Sequence, residues 1–487
     1  MNKLSAKLSC YFCIFLLFLT LPLFAQQNTT AFSLQDCIRK ATLNNIVVKQ
    51  SNLQTELSRN TLTGSKLSQY PVLNGSFSQY FTAGRSIDPF TNQFVEDQIN
   101  YQNVGLNANL LLYGGGQLKN TIKMNEWEVL AIEKDAKAIQ EQLTVNIIGA
   151  FFRVLNDEEQ LALTKKQLAS TKFQLQRFES QVREGVVSRS VTADLTAQLA
   201  GDELSIANAE NALELSKTAL LQLINDPSLR EENLTLKKEI MVLSTIEAYK
   251  EPRAIDMAVK KQSAVMAAQM RVQTAQKGIE IALSSRYPTL WLYLGLGTNY
   301  SSAAPTQQFI GDGKAPKLAE NRLRDYVVVS GQRQNIVRVS EVPSGSFRNF
   351  GYFNQLDFNL NNSLGLSLKL PIFNGLSAKY KVENAKIYKQ MADLQLKNTE
   401  LQVKNTVDVA QKNALSAHKR LMLAQKQLTA VENAFAFTKT RFEEGIINSV
   451  EYMLAKNNLD RIRANYAQAK YDYLFRIKVL DFYLGRF

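Results

Sequence analysis

Residues 403–435 read VKNTVDVAQKNALSAHKRLMLAQKQLTAVENAF, and this stretch decides the fold. Its small and apolar residues recur in alternating steps of four and three positions: Val403, Val407, Ala410, Ala414, Ala417, Leu421, Ala424, Leu428, Val431 and Phe435. This repeat of about 3.5 residues is typical of helices packed in a left-handed coiled coil. Because no proline interrupts residues 376–444, the pattern predicts one helix of roughly 65–70 residues, about 100 Å long. We expect such a helix to lie against other long helices.

The first 25 residues are typical of a secretory signal peptide rather than an uncleaved anchor. Lys3 and Lys7 precede an apolar run at residues 11–23, and Ala25 is a small residue that suits cleavage. No later segment has the roughly 18 consecutive apolar residues of a transmembrane helix. We therefore expect an exported protein that meets a membrane only through strands.

Composition argues against several classes of function. Cys10 and Cys13 lie in the predicted signal peptide, so only Cys37 remains and no intramolecular disulfide is expected. The net charge is +13, but the lysines and arginines are interspersed with acidic residues and form no basic patch, which argues against nucleic-acid binding. With His418 as the single histidine and no complete phosphate-binding loop, we expect no catalytic residue, metal site or cofactor.

The chain contains one structural unit twice. The unit consists of a helix, two strands, a long helix, a glycine turn and another helix. In the first copy these elements are predicted at residues 34–69, 72–81, 104–113, 117–183 and 191–224; in the second they are predicted at 255–287, 290–300, 356–370, 376–444 and 450–484. The glycine turns correspond at an offset of about 260 positions. We expect repeats at residues 26–226 and 253–487, joined by a connector at 227–252, to form one intertwined channel domain.

The predicted strands alternate apolar and polar residues. In the last of them, Leu364, Leu366 and Leu368 oppose Ser363 and Ser367. Such alternation over about ten residues is typical of transmembrane β-barrels, although a soluble sandwich with one hydrated face shows it too. A barrel needs at least about eight strands, so we expect a chain with four to oligomerise. The Pro and Gly content of residues 301–355 predicts an irregular loop between the last two strands.

In these features the chain resembles the TolC-like outer-membrane efflux proteins. The resemblance rests on the duplicated unit, the Tyr-Pro pairs at 70–71 and 287–288, the strand exits at 110–115 and 370–375, and the turns at 184–188 and 444–449. It implies a mixed α/β membrane protein, mostly long α-helices in a coiled-coil tube, with four β-strands per chain in the twelve-stranded barrel of a homotrimer. The implied location is the outer membrane, with the helical tube in the periplasm.

The resemblance also implies a function and partners. The partners are a periplasmic adaptor protein, an inner-membrane transporter and outer-membrane lipid. The implied function is passive conduction of small-molecule drugs or toxic compounds out of the periplasm, without enzymatic activity. Two alternatives remain open at this point. One is a duct for type I protein secretion or metal export, and the other is a periplasmic coiled-coil scaffold without a pore.

The candidate site is the pair of glycine turns that follow the long helices. An end-on contact with an adaptor, and a narrow entrance, need exposed groups around tight turns. The residues that provide them are Arg183, Glu184, Gly185, Arg189, Asp194, Glu443, Glu444, Gly445 and Glu451. Asp194 lies farther from its turn glycine than the aspartate of the best-known family members, so we do not transfer individual gate residues from the family.

Overall fold

The computed structural model describes residues 31–87, 92–96, 98–231, 234–238, 256 and 259–487. The predicted signal peptide and much of the predicted connector lie outside these residues. Contacts divide the chain into two compact units, and each unit contains segments of both repeats. One unit comprises Met1–Leu57, Val129–Arg271 and Asp393–Phe487, and the other comprises Ser58–Glu128 and Val272–Ala392.

Helices and strands follow the predicted order. The helices are α1 (Leu34–Asn44), α2 (Ile46–Leu67), α3 (Gln117–Arg183), α4 (Arg189–Ile224), α5 (Ser263–Ser284), α6 (Tyr352–Phe358), α7 (Ser377–Glu443) and α8 (Ser449–Tyr483). The strands are β1 (Val72–Thr82), β2 (Arg85–Ile87), β3 (Phe94–Glu96), β4 (Ile99–Tyr113), β5 (Thr289–Ser301), β6 (Gln307–Gly311), β7 (Lys317–Val329), β8 (Gln332–Val342), β9 (Gly345–Asn349) and β10 (Asn361–Lys369).

The two long helices confirm the predicted repeat. Helices α3 and α7 have 67 residues each. In α7 the stripe that predicted the helix is the buried side: Val407, Ala414, Ala417 and Leu421 are at most 3 % exposed. Within the described part of the chain, no helix combines the length and the apolar character that a membrane crossing requires.

The predicted single helix over residues 34–69 is wrong, because the chain leaves the helical conformation at Asn45. The backbone of Asn45 has ψ of 129°. Its side-chain amide donates a hydrogen bond of 2.9 Å to the Leu223 carbonyl, and its Oδ1 accepts one of 2.9 Å from the amide of Val47. These bonds stabilise a helix end followed by a new helix start. The predicted start of the helix at residues 255–287 lies outside the described residues, and its described part is α5.

The largest core of the first unit joins α1, α3, α4 and α8. Phe151 and Phe152 from α3 pack with Leu220 from α4, Leu474 from α8 and Cys37 from α1, and all five are buried. Fully burying one large apolar side chain stabilises a protein by about 1.5–3 kcal/mol. This cluster therefore holds α1 and the carboxyl-terminal parts of α4 and α8 against the middle of α3. A second cluster packs Ala414, Ala417 and Leu421 of α7 against α8.

The main sheet of the second unit has two different faces. It is antiparallel, with strand order β1-β4-β5-β10, so β1 and β10 are its edges. On one face Leu366 pairs with Leu292, and Leu292 pairs with Leu110. The opposite face carries asparagine, serine and glycine, as where Gly295 pairs with Asn107. We call these the leucine face and the polar face.

Glycines of the main sheet differ in their surroundings according to the strand they lie on. A Cβ atom added to Gly295 on the central strand β5 would lie 2.6 Å from the Ser363 hydroxyl oxygen on the polar face. A Cβ atom added to Gly75 on β1 or to Gly365 on β10, the two edge strands, would meet nothing within 4 Å. The polar face is therefore crowded where Ser363 reaches over Gly295.

The prediction of an irregular loop at residues 301–355 is wrong. Strand β6 pairs with β9, and β7 pairs with β8, so residues 307–349 form a long two-stranded structure that we call the ribbon. Ser330 and Gly331 join β7 to β8 with φ values of 49° and 82°. Two consecutive positive φ angles are what a type I′ hairpin turn requires.

The predicted strand at residues 356–370 is only partly right, because β10 begins at Asn361. Residues Tyr352–Phe358 form helix α6 instead. Gln355 in this helix is buried, and its side-chain oxygen accepts a hydrogen bond of 3.1 Å from the amide of Ser301. Phe350 packs edge-on against Phe358 at 5.4 Å between ring centres. Alternation over so few residues does not distinguish one helical turn from a strand.

Candidate functional site

The two glycine turns end α3 and α7 in the same way. In the first turn the amide of Val186 donates to the Gln181 carbonyl at 2.9 Å, and that of Gly185 donates to Val182 at 3.1 Å. The equivalent atoms of the second turn form the same two bonds at 2.9 and 3.1 Å. Gly185 and Gly445 have φ values of +76° and +75°, which other residues adopt only with strain. Each turn is therefore a Schellman motif, which ends one helix and redirects the chain.

The helices that follow the turns begin with side-chain caps. Ser188 accepts a hydrogen bond of 3.3 Å from the amide of Ser190 at the start of α4. Asn448 accepts one of 2.9 Å from the amide of Glu451 at the start of α8. Such caps satisfy backbone amides that have no partner inside the helix. Each turn is thus fixed by hydrogen bonds on both sides.

All nine predicted site residues are exposed around these turns. Their polar contacts are local: Glu443 lies 3.9 Å from Lys439 on the same helix, and Arg183 donates a bond of 3.1 Å to the Ser180 hydroxyl. Among the described residues, no ion pair joins one turn to the other. The predicted residues therefore form two separate exposed groups, and their proposed contact with an adaptor stays a prediction.

A layer of aromatic rings lies next to the turns. Phe178 of α3 packs against Phe442 of α7 at 5.5 Å, and Phe442 stacks on Tyr452 of α8 at 4.4 Å between ring centres. The Tyr452 hydroxyl accepts a hydrogen bond of 2.7 Å from the side-chain amide of Gln174. Burial raises the pKa of Tyr452, so this phenol is neutral at physiological pH. The layer joins the two helix pairs close to their turns.

A buried polar network joins α3, α4 and α8 beyond the aromatic layer. Lys456 and Asp202 are 6 % and 2 % exposed, and Thr171 is fully buried between them. Thr171 Oγ1 donates to Asp202 Oδ2 at 2.6 Å and accepts from Lys456 Nζ at 3.2 Å. Lys456 Nζ also lies 3.5 Å from Asp460 Oδ2, and burial raises the pKa of Asp460. This is the largest departure from an apolar seam in this part of the bundle.

Two amide side chains complete the shell around Asp202. Gln167 and Gln198 both donate to its Oδ1 atom, at 2.7 and 2.8 Å. The carboxylate therefore accepts three hydrogen bonds and lies close to one ammonium group. Buried charges of this kind persist only when hydrogen bonds replace the lost water.

A cleft of about 680 Å³ opens beside the network, between α3, α7 and α8. Its lining combines aromatic rings, such as Phe178 and Tyr452, with charged groups of both signs, such as Arg177 and Asp460. Here α3 and α8 are joined by hydrogen bonds and ring contacts around an unfilled space. This differs from the filled apolar core around Phe151.

The sequence analysis missed this network. One signal was present: Lys456 lies four residues after Tyr452 and three before Leu459, and both of these are buried. A lysine at such a position interrupts the apolar side of a helix. Asp202 interrupts α4 in the same way, seven residues after the buried Leu195. In the described part of the chain, no group of three or more histidine, cysteine or acidic side chains could hold a metal ion.

Comparisons with known proteins agree with this architecture. The outer membrane protein TolC of Vibrio cholerae is 21 % identical over 434 residues, covering 89 % of this chain and 86 % of TolC. The cation efflux system protein CusC of Escherichia coli is 22 % identical over 273 residues, which is 54 % of either chain. The crystal structure of the CmeC outer membrane channel of Campylobacter jejuni has the same fold, with a TM-score of 0.72 over 93 % of this chain and 85 % of CmeC, at 17 % identity.

The family comparison covers both halves of the duplicated structure. The family described as outer membrane efflux protein matches residues 37–226 and 351–486, which is more than half of the chain and includes both glycine turns. Together with the repeat, the two-faced sheet and the paired long helices, this match identifies the family. The chain belongs to the outer membrane efflux protein family.

Proposed function

We propose that three copies of this chain form the outer-membrane channel of a tripartite efflux system. Small-molecule drugs or toxic compounds would pass through it out of the periplasm, driven by an inner-membrane transporter. The sheet carries this proposal. Among the described residues, β1 and β10 each pair with one strand only and leave their outer edges open, and a membrane requires every strand edge to be paired. Three copies of a four-stranded sheet supply the twelve strands that the family resemblance implies.

The two repeats would together form one intertwined channel domain, with the glycine turns at its periplasmic entrance. Glu184, Glu443 and Glu444 lie at the carboxyl ends of α3 and α7, next to Arg183 and Arg441 in the last turns of these helices. Their side chains are exposed, so basic groups on an adaptor protein could pair with the glutamates. These exposed charges support the turns as the adaptor contact.

Channel activity is tested with the purified protein. The expected result in a planar lipid bilayer is discrete conductance steps, and the mass by light scattering in detergent is that of a trimer. A monomer without conductance would contradict the proposal and favour a periplasmic scaffold. A trimer without conductance would leave the assembly in place but reject the channel.

Substrate class is tested in a strain that lacks the gene. We expect higher sensitivity to hydrophobic drugs and bile salts, restored by a plasmid copy. Metal cations are the second candidate cargo, because the related CusC is named a cation efflux system protein. Sensitivity to salts of metal cations without drug sensitivity would favour metal export. Loss of a secreted protein alone would favour type I secretion.

The turn contact is tested by reversing two charges. Glu184→Lys combined with Glu444→Lys should reduce crosslinking to the adaptor and lower drug resistance, because basic groups on the adaptor would then face like charges. Glu56→Lys, at an exposed glutamate on α2, is the matched control. Unchanged crosslinking and resistance in the double variant, at a normal amount of trimer, would reject the turns as the contact.

A further inference from the structure

We propose that the ribbon is an interface between copies of this chain, in which one face of each ribbon packs on the opposite face of the next. This inference rests on the proposed ring of three copies. The ribbon lies between the two segments matched by the family, residues 37–226 and 351–486. It also connects β5 to the edge strand β10, which places its base at the boundary with the next copy.

The base of the ribbon is firmly attached to the main sheet. The amide of Phe350 donates a hydrogen bond of 2.8 Å to the Thr306 carbonyl, and Phe350 is 6 % exposed. The Tyr352 hydroxyl donates to Gln102 on β4 at 2.7 Å, and its ring lies 4.9 Å from that of Tyr300 on β5. The ribbon therefore starts from a fixed point and a fixed direction.

Beyond this base the ribbon carries apolar side chains on both faces. Residues directly opposite each other in a pair of strands share a face, and neighbours along a strand alternate. On the first face Val327, Val329, Ile336 and Val342 are exposed. On the second face Leu318, Tyr326, Val328 and Val339 are exposed. A two-stranded hairpin is marginally stable in water by itself, so both faces need cover.

Charges on the two faces are complementary near the base. Among the residues paired in the ribbon, Lys317 and Arg338 are the charged residues of the first face, while Glu320 and Glu341 lie on the second face together with Arg322 and, nearer the turn, Arg333. Packing the first face of one ribbon on the second face of the next brings basic groups opposite acidic groups. A pairing of first face with first face would oppose like charges.

A ring of copies explains why both faces are apolar. A single partner protein docking from one side would cover one face and leave the other in water. In a closed ring each copy has a neighbour on either side, so the same head-to-tail contact covers both faces of every ribbon. The occupant of each face is therefore a second copy of this chain.

The test uses the full-length oligomer with a cysteine at the end of the ribbon. After signal-peptide removal the remaining native cysteine, Cys37, is buried, so thiol background is low. In a Val328→Cys variant a short bis-maleimide should link copies into covalent dimers and trimers that survive boiling in detergent. Reversing the first face with Lys317→Glu and Arg338→Glu should lower the crosslinked fraction by about tenfold, because like charges then face each other.

Two further variants keep the test decisive. Adding Glu320→Lys and Glu341→Lys to the first-face reversal should restore crosslinking, since the acidic groups of the new first face then meet a second face whose charges are all basic. In a ribbonless variant an Asn-Gly turn replaces residues 312–344, because Gly311 and Gly345 are paired. It should remain a conducting trimer but dissociate at a lower temperature on heating in detergent.

The outcomes separate this inference from the proposed function. A wild-type trimer that conducts but shows no ribbon crosslinks, or a ribbonless trimer that dissociates at an unchanged temperature, would overturn the ribbon interface and leave the channel intact. Crosslinking in cells to a different protein instead of a second copy would also overturn it. A monomeric wild-type protein without conductance would reject both.

Discussion

Lys456 on α8 donates a hydrogen bond of 3.2 Å to Thr171 on α3, although both side chains are buried. The Thr171 hydroxyl in turn donates a hydrogen bond to Asp202 of α4, so three helices meet at one hydroxyl group. An apolar seam tolerates sliding by one turn, whereas a buried charge must find the same partners again. We infer that this network fixes the register of α8 against α3 and α4.

The first prediction concerns the loss of the Lys456 ammonium group. Lys456→Ala should lower the free energy of unfolding by about 3–5 kcal/mol, because the carboxylate of Asp460, whose side chain is 19 % exposed, is left without its cation. The measurement is the denaturation midpoint of the purified protein followed by circular dichroism. Lys426→Ala, at an exposed lysine on α7, is the control and should change little.

A second variant of the network separates charge from packing. Replacing the ion pair by Lys456→Met with Asp460→Leu should recover much of the lost stability, because apolar residues of similar size often replace buried ion pairs without loss. Equal midpoints for Lys456→Ala and Lys426→Ala would show that the network contributes nothing.

The long helices and their turns could be predicted because their determinants are local. An unbroken repeat without proline set the length of α7, and a glycine with positive φ marked its end at Gly445. The network could not be predicted in this way, because Lys456 and Thr171 are 285 positions apart. Lys456 lies one helical turn after Tyr452. Whether such a lysine faces water or another helix depends on which helix packs against that side of α8.

The ribbon was missed for a different reason. Pro316, Pro343 and several glycines indicated an irregular loop, yet the prolines lie between strands and not inside them. Ser330-Gly331, after the valine run at 327–329 and before the alternating Val337 and Val339, was the available signal for a hairpin. The predicted strand at 356–370 began too early because residues 356–360 are only five alternating residues. So short a pattern fits a helical turn such as the end of α6 as well as it fits a strand.

The next prediction compares two equivalent glycines where the strands enter the long helices. Gly115 and Gly375 both have φ of +60°, but their surroundings differ. A Cβ atom at Gly115 would lie 2.6 Å from Tyr287 Cβ and 2.9 Å from the Ser284 carbonyl oxygen, whereas Gly375 has nothing within 4 Å. Gly375→Ala should cost about 1–2 kcal/mol from the left-handed backbone alone.

Gly115→Ala should cost about 1–3 kcal/mol more than Gly375→Ala, because the added methyl group also clashes with a neighbouring element. Thermal denaturation of the two variants under identical conditions gives the difference, and Gly375→Ala serves as the matched control for backbone strain. If both variants lose the same free energy of unfolding, the close approach of Gly115 to Tyr287 does not affect stability.

The third prediction concerns pH and the contact between α1 and the segment after α4. Lys40 Nζ lies 2.7 Å from Asp226 Oδ2, and this hydrogen bond, with others from Ser228, lowers the pKa of Asp226 from 3.8 to about 2. A carboxyl whose pKa is lower in the folded state stabilises that state above its unfolded pKa. This contribution should be present at pH 7 and should disappear as the pH falls from about 4 to about 2.

Asp226→Asn should therefore destabilise the protein by about 1 kcal/mol at pH 7 and have almost no effect at pH 2. Denaturation midpoints of the wild type and the variant, measured across this range, provide the test. In a Lys40→Met background the same substitution should matter less, because its main partner is gone. A loss of stability that does not depend on pH would contradict this account of the pair.

The fourth prediction uses two adjacent residues of β10 that lie on opposite faces. Leu366 pairs with Leu292 on the leucine face, and Ser367 pairs with Trp291 on the polar face. If the leucine face meets lipid, Leu366→Arg should cost about 2–4 kcal/mol near the bilayer midplane and reduce the amount of trimer that inserts into lipid vesicles. Ser367→Arg adds the same charge one position later and is the matched control.

The control variant should assemble and insert like the wild type, because its arginine would face the water-filled interior. In a planar bilayer it should shift ion selectivity toward anions, since an interior cation attracts them. The two variants thus report on different properties of the same strand. Equal insertion of both would contradict a lipid-facing leucine side, and failure of Ser367→Arg alone would mean that the polar face, not the leucine face, meets lipid.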